Sequence, residues 1–277
     1  TLLTRNGRGV RLTDAGQRLF EHATAILQAV ERAREEVDAL RNEPAGRVVI
    51  GLPPSIGHVV TVSLVEAFQK RWPKANLAIV EGLSAHIAEW IATGRVDIGL
   101  VHNPEPQAAV ETTPLFQEDL CLVSRRADLP AEPARAAASR REPAARRAAA
   151  GAPVPVTLAS LVGLPLVLPE RAHAYRKLLD SQAALAGVKL SVTCEVSSVS
   201  SILGLVRAGH GHAVLTRSAV AASGRGDELA VRPLVEPRMT STLCLVVPAH
   251  RKATPLQRQA ATLLRDLLRQ FQRSLSA

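Results

Sequence analysis

Val48-Val49-Ile50-Gly51-Leu52-Pro53-Pro54-Ser55 reads as a short apolar strand, halted by two prolines, that hands over to a helix at a hydroxyl residue. The helix runs through about Trp72 and is stopped by Pro73. Leu77 to Glu81 is a second strand, and Gly82-Leu83-Ser84 caps a second helix that ends at Thr93-Gly94, with glycine in the C-cap role. A third strand, Asp97-Ile98-Gly99-Leu100-Val101, runs out into the loop His102-Asn103-Pro104. Strands alternating with helices are the pattern of a parallel sheet covered on its faces, so this part of the chain is α/β.

The rhythm is interrupted once. After a strand at Leu120 to Ser124, residues 126–155 are rich in Ala, Arg and Pro without periodicity. Six arginines against three acids give that stretch a surplus of three positive charges, and it reads as a solvated insertion or, alternatively, as a basic loop for a polyanion. The alternation then resumes. Leu164 to Pro169 and Ser191 to Val196 are strands, with a helix between them that closes at Gly187. Ser197-Ser198 introduces the helix Val199 to Ala208, and Ala213 to Thr216 is a short strand. Ala230 to Leu234 and Thr242 to Val247 follow as strands, before a final amphipathic helix from Thr254 to about Ser274. Two similar α/β lobes are expected.

Upstream of Arg47 the sequence has a different character. Leu2 to Thr13 reads as two short strands around Asn6-Gly7, and Arg5, Arg8 and Arg11 ride on that hairpin. Three guanidiniums on one ribbon suit a phosphate backbone, or they form a basic face left in solvent. Thr13 is an N-cap with Asp14 behind it. Leu19, Ala23, Ile26, Val30, Ala33, Val37 and Leu40 then recur in alternating steps of four and three, a heptad seam on a helix from about Asp14 to Arg41. Asn42-Glu43-Pro44-Ala45-Gly46 ends it as a linker. That break favours self-association through the seam over packing against the rest of the chain.

Leu2-Leu3-Thr4-Arg5-Asn6-Gly7-Arg8-Gly9-Val10-Arg11-Leu12-Thr13-Asp14-Ala15-Gly16 resembles the wing and linker-helix start of LysR-type transcriptional regulators, with Leu3 where that motif carries an aromatic residue. The resemblance extends over the whole chain. It implies a two-lobed effector domain like periplasmic solute-binding proteins over 47–277, preceded by a winged-helix remnant at 1–13 and a linker helix and hinge at 14–46. Lobe I would comprise about 47–124 and 224–277, and lobe II about 125–223. A helix-turn-helix is expected upstream of Thr1. The implied partners are promoter DNA for the intact protein, a small-molecule effector and the chain itself as dimer or tetramer, with room for RNA polymerase. Gly51-Leu52-Pro53-Pro54-Ser55, and Val80-Glu81-Gly82-Leu83-Ser84 followed by Glu89-Trp90, resemble the nitrogen-assimilation-control subgroup.

Open α/β sheets bind ligands beyond the carboxyl ends of their strands, where helix N-termini turn free amides inward. Ser55, Ser84, His102, Asn103, Ser197, Ser198 and Thr216 stand at such corners. Hydroxyls and amides there suit a small carboxylate or other oxyanion, although each serine would also serve as a plain helix cap. The family resemblance places Ser55, Ser84, His102 and Thr216 at effector-lining positions.

Composition narrows the remaining classes. A chain of 277 residues forms one large domain or two, and 47% hydrophobic with 21% charged residues is globular. Aromatics at 3% disfavour base-stacking platforms. The net charge of +9 fits a polyanionic partner, or a genome that writes Arg for Lys. Cys121, Cys194 and Cys244 are too scattered for a disulfide framework or a zinc cage and read as small buried hydrophobes, Cys194 as a strand thiol rather than a redox sensor. His210 and His212 read as an exposed turn, not a metal site. No dinucleotide fingerprint, phosphate loop or nucleophile elbow occurs. Neither an apolar run of about 18 residues nor a signal peptide is present, so a cytoplasmic protein without cofactor or catalytic residues is expected. A stand-alone small-molecule receptor of the same fold is the alternative, and the basic hairpin and heptad helix disfavour it.

Overall fold

The computed structural model describes residues 1–6, 9–39, 46–128, 154–224 and 226–276. Strands β1 (Leu3–Asn6) and β2 (Gly9–Leu12) form an antiparallel hairpin in which Asn6 pairs with Gly9. The loop is therefore 7–8, one residue later than the expected Asn6-Gly7 turn, and it lies outside the described residues together with Arg8. Helix α1 (Asp14–Ala39) follows. Thr13 caps it as the sequence predicts, its hydroxyl accepting from Gly16 N at 3.0 Å. Leu40, the linker 41–45 and the insertion 129–153 also lie outside the described residues.

The chain divides into two compact units. The first comprises Thr1–Pro53, Val60–Leu115 and Cys244–Ala277. Its parallel strands β3 (Gly46–Leu52), β4 (Ala75–Glu81) and β5 (Ile98–His102) run in the order β4-β3-β5, with β12 (Thr240–Pro248) beside β5. Helix α2 (Pro54–Arg71) opens with proline at its first position, where no donor is needed. Ile56, Val60, Leu64, Phe68 and Trp72 recur every four residues and are all buried. Helix α3 (Ser84–Thr93) closes at Gly94 in the left-handed conformation (φ 82°). It lies tight on the sheet because β5 carries Gly99: a Cβ there would sit 2.6 Å from Ile87 Cγ2.

Two boundaries differ from expectation in this unit. β5 includes His102, which is buried, so the strand continues one residue into the expected loop. Leu83 takes the N-cap position of α3 without a side-chain cap bond, leaving the Ser84 hydroxyl for another partner. The C-terminal helix α7 (Pro255–Ser276) starts as expected, in a reciprocal cap. Thr254 N donates to Gln257 Oε1 at 2.9 Å and Gln257 N to Thr254 Oγ1 at 3.2 Å.

The second unit comprises Pro54–Val59 and Phe116–Leu243. β6 (Val110–Arg125) pairs antiparallel with β10 (Ala213–Thr216) and β11 (Leu229–Val235), and β7 (Val156–Thr157) lies parallel to β11. β8 (Leu166–Leu168) and β9 (Val192–Glu195) form a parallel pair. Helices α4 (Ala174–Leu185), α5 (Val199–Arg207) and α6 (Arg217–Ala221) complete it. Leu120, Leu122, Leu166, Leu168, Ile202 and Leu215 are buried together in its core.

β6 is far longer than the expected Leu120–Ser124, because its first half is a polar run with Pro114 that carries no strand periodicity. Cys121 and Cys244 are buried as expected, but Cys194 is exposed. It sits on β9, whose last three residues all face outward. Among the described residues no helix is long and apolar enough to cross a membrane.

Candidate functional site

In the first unit, the carboxyl ends of β4 and β5 bring Ser84 and His102 together. The Ser84 hydroxyl accepts from His102 N at 2.9 Å, which fixes the exit of β5 against the start of α3. His102 is 3% exposed, and Asn103 follows it in the left-handed region (φ 46°), a conformation asparagine tolerates better than most residues. The three residues make one polar corner.

The second unit holds a larger polar group. Thr216 ends β10 and caps α6, its Oγ1 accepting from Ala219 N at 3.4 Å while the residue is wholly buried. The Tyr175 hydroxyl lies 3.4 Å from that oxygen and also hydrogen-bonds the side chain of Ser55, in the first turn of α2. On the other side Thr216 Oγ1 is 3.0 Å from Ser218 Oγ. Ser218 then gives both of its donors to Glu118 on β6, N to Oε1 at 3.1 Å and Oγ to Oε2 at 2.5 Å. A carboxylate and four hydroxyls are thus linked in a line.

Burial sets the titration of this group. It raises Glu118 above the usual carboxylate range, and the two bonds from Ser218 hold it partly down. Burial also pushes the Tyr175 phenol well above its ordinary value. His173 caps α4 by accepting from Tyr175 N on Nδ1 at 3.2 Å, and its ring lies 4.8 Å from that of Tyr175. Burial lowers its pKa to about 4, so at neutral pH it is an uncharged ring with its proton on Nε2.

Ser197 and Ser198 take no part in this group. Both are exposed, and the Ser198 hydroxyl caps α5 by accepting from Ser201 N at 3.5 Å. The sequence expectation therefore finds Ser55 and Thr216 joined, Ser84 and His102 joined, and the serine pair elsewhere. It missed Glu118, His173, Tyr175 and Ser218. A hydroxyl two residues beyond Thr216, and the chain's single tyrosine, are faint signals for two of them; Glu118 stands in the run Gln117-Glu118-Asp119 with nothing to mark it.

A hollow of about 670 Å³ between α4 and β9 is lined by Arg171, Arg176, Asp180, Lys189, Cys194 and Glu195 among others. Arg176 is buried there but committed: it pairs with Asp180 at 2.8 Å and Glu195 at 3.0 Å and donates to Pro169 O. The buried hydroxyls are the better chemical candidate, because polar atoms taken out of water are costly unless something uses them. Among the described residues no His, Cys, Asp and Glu cluster could hold a metal. His210 is exposed, and His212 Nδ1 lies 2.9 Å from Ser124 Oγ.

At the N-terminus, Arg5 and Arg11 are exposed on the hairpin. On α1, Leu19, Ile26 and Val30 are 49%, 63% and 46% exposed, Ala33 is exposed and Ala23 half-buried. Phe20 and Leu27 add to this apolar face. Val37 lies in the same helix.

Residues 41–270 match the family described as the LysR substrate binding domain. The transcriptional regulator BbuR of Bordetella bronchiseptica is 27% identical over 256 residues, spanning 92% of this chain and 72% of that protein. The nitrogen assimilation regulatory protein nac of Escherichia coli is 26% identical over 268 residues, spanning 96% and 80%. Two such similar levels do not single out a subgroup. Among solved structures, a full-length OxyR variant from Pseudomonas aeruginosa superimposes with a TM-score of 0.68 at 24% identity, covering 97% of this chain and 80% of that one. CbnR in complex with its target DNA gives 0.58 at 20% identity, covering 96% and 84%. These likenesses show the α/β, periplasmic-binding-protein-like effector fold. The chain belongs to the LysR family of transcriptional regulators, a family that is not enzymatic, and carries its substrate-binding domain over residues 41–270.

Proposed function

We propose that this chain is the effector-sensing and dimerising portion of a cytoplasmic, DNA-binding regulator that answers to a small molecule. Residues 1–13 act as the wing of a winged helix-turn-helix, 14–46 as linker helix and hinge, and 47–277 as the two-lobed effector domain. The observation that carries the reading is the line Ser55–Tyr175–Thr216, hydroxyls buried at the carboxyl ends of strands with no structural need for so many of them. Ser84, His102 and Asn103 form a second candidate effector corner, with Ser197 and Ser198 the least supported of the set. Hydroxyl and amide donors match a small oxyanion.

The exposed apolar face of α1 supports self-association as a dimer or higher oligomer, and Arg5, Arg8 and Arg11 supply contacts to promoter phosphates. The neighbour solved with its target DNA supports this reading of the intact protein. RNA polymerase is a further partner consistent with such a role.

Thermal unfolding against a panel of small organic and inorganic anions tests the proposal. One selective compound should raise the melting temperature with concentration, by the equivalent of about 2.7 kcal/mol at a hundred times its Kd. Thr216→Val should abolish that rise. Silence across the panel, or a rise unaffected by Thr216→Val, would overturn the effector assignment.

A further inference from the structure

We infer that Glu118 fixes the direction of the hydroxyl line Ser218–Thr216–Tyr175–Ser55, and so decides whether Ser55 offers an effector a lone pair or a proton. The inference rests on the reading of Ser55 as an effector contact. It follows from counting protons along the line. Each hydroxyl has one hydrogen and each acceptor oxygen two lone pairs.

When Glu118 is ionised it is an acceptor only, so Ser218 Oγ must donate to it across 2.5 Å. Ser218 then has no hydrogen left for Thr216, and Thr216 must donate to Ser218 across 3.0 Å. By the same step Tyr175 donates to Thr216, across the longest link at 3.4 Å, and Ser55 donates to Tyr175. Ser55 is left with lone pairs alone. It can receive a hydrogen bond from an effector but cannot give one.

When Glu118 carries a proton, the line reverses without any heavy atom moving. The Glu118 hydroxyl donates to Ser218, Ser218 to Thr216, Thr216 to Tyr175 and Tyr175 to Ser55. The Ser55 hydrogen is now free for a ligand. In both directions Thr216 keeps its bond from Ala219 N and Glu118 keeps its bond from Ser218 N. An oxyanion seated on Ser55 therefore binds with uptake of one proton from water onto Glu118, whereas a ligand that donates binds with none.

The surroundings leave Glu118 as the group that switches. On its own strand it has Cys121, pushed up to about 11, and Asp119, which Arg238 holds at 2.7 and 3.1 Å. From α6 it faces Arg217 and Ser218, and from α4 the Tyr175 phenol, raised out of the physiological range by burial. His173, against Tyr175, is already neutral above about 4. Burial raises Glu118 itself toward neutrality.

Tyr175 is the chain's single tyrosine, so the whole chain labelled with ¹³C at the tyrosine Cζ gives one resonance from the middle of the line. That resonance should move in one step between about pH 4 and about pH 9, as the phenol changes from donating to Thr216 to donating to Ser55. Glu118→Gln, which keeps a donor and an acceptor in place, should abolish the step. Ser218→Ala should abolish it while the Glu118 carboxyl still titrates, and His173→Asn should leave it intact. A silent resonance in the wild type, or a step that survives Glu118→Gln, overturns the inference.

Acetate and acetamide, equal in shape and opposite in hydrogen-bonding, then probe the Ser55 end. Acetate affinity should fall about tenfold per pH unit above the step and acetamide affinity should not. Acetate binding equally on both sides of the step overturns the inference. If neither compound binds while the Tyr175 step is present, the direction of the line stands and the effector reading of Ser55 falls.

Discussion

Ser218 meets Glu118 with both of its donors at once, its backbone N–H on Oε1 at 3.1 Å and its hydroxyl on Oε2 at 2.5 Å. One residue thereby satisfies both oxygens of a buried carboxyl and ties β6 to the first turn of α6. Replacing Ser218 by Ala keeps the backbone bond and strands Oε2, at a cost of about 1–3 kcal/mol in urea unfolding. It should also drive Glu118 further up, since the Ser218 bonds are what hold it down. A loss below about 0.5 kcal/mol would mean that the hydroxyl does not satisfy that oxygen.

The raised Glu118 has a signed consequence for stability. Its native pKa lies above its unfolded one, so the folded state holds this proton more tightly. The contribution is complete below the ordinary carboxylate range and is lost as pH rises through the native value. Glu118→Gln should remove that alkaline decline, seen as a flatter plot of unfolding free energy against pH. An unchanged slope would place the decline on another group.

His173 acts in the opposite direction. Its pKa is lowered from 6.5 to about 4, so the unfolded chain takes a proton that the folded chain refuses. The stabilisation is complete above 6.5 and disappears as pH falls towards 4, which amounts to about 3 kcal/mol over that window. Asparagine at 173 retains a capping oxygen for Tyr175 N without a titrating ring. His173→Asn should therefore lose less stability than the wild type between neutrality and about pH 4, measured by urea midpoints. Parallel curves would remove His173 from the acid limb.

Arg176 is a buried cation whose two carboxylate partners reach solvent: its side chain is 4% exposed, against 40% for Asp180 and 45% for Glu195. Removing it lets both acids rehydrate, so the cost is smaller than for a fully buried pair. What stays behind is the Pro169 carbonyl, which receives an Arg176 hydrogen bond at 3.1 Å. Arg176→Met should destabilise by about 1–3 kcal/mol, chiefly through that unsatisfied acceptor. A neutral or stabilising outcome would show that packing by the methionine offsets the lost bond.

The alternation of Val48–Leu52, Leu77–Glu81 and Ala213–Thr216 with helical stretches was legible because each strand is short, apolar and followed by a hydroxyl or proline that starts a helix. That regularity gave the corners, and hence Ser55, Ser84, His102 and Thr216. The partners of those residues were not legible. Glu118 lies 100 residues from Ser218, and Tyr175 lies 41 from Thr216, so only the folded chain brings them together. The exposure of Cys194 was missed for a related reason: an edge strand and a central strand carry similar residues, and pairing alone decides which faces water.

The apolar face of α1 gives the last prediction. Leu19, Phe20, Ile26, Leu27 and Val30 are all at least 46% exposed in the single chain. Twenty-six residues of helix span about 39 Å, too long a stripe for a lone helix to leave in water when each such side chain gains about 1.5–3 kcal/mol on burial. A second copy of α1 with the same spacing of three and four residues would cover it by knobs-into-holes packing. Ile26→Asp or Val30→Glu places a charge in that seam, where desolvation without a partner costs several kcal/mol. Either variant should shift the chain from dimer or larger to monomer in size-exclusion chromatography with light scattering, while the far-ultraviolet circular dichroism of the α/β units is retained. Unchanged mass in both variants would show that α1 is not the contact and that the oligomer, where one forms, is held by another surface.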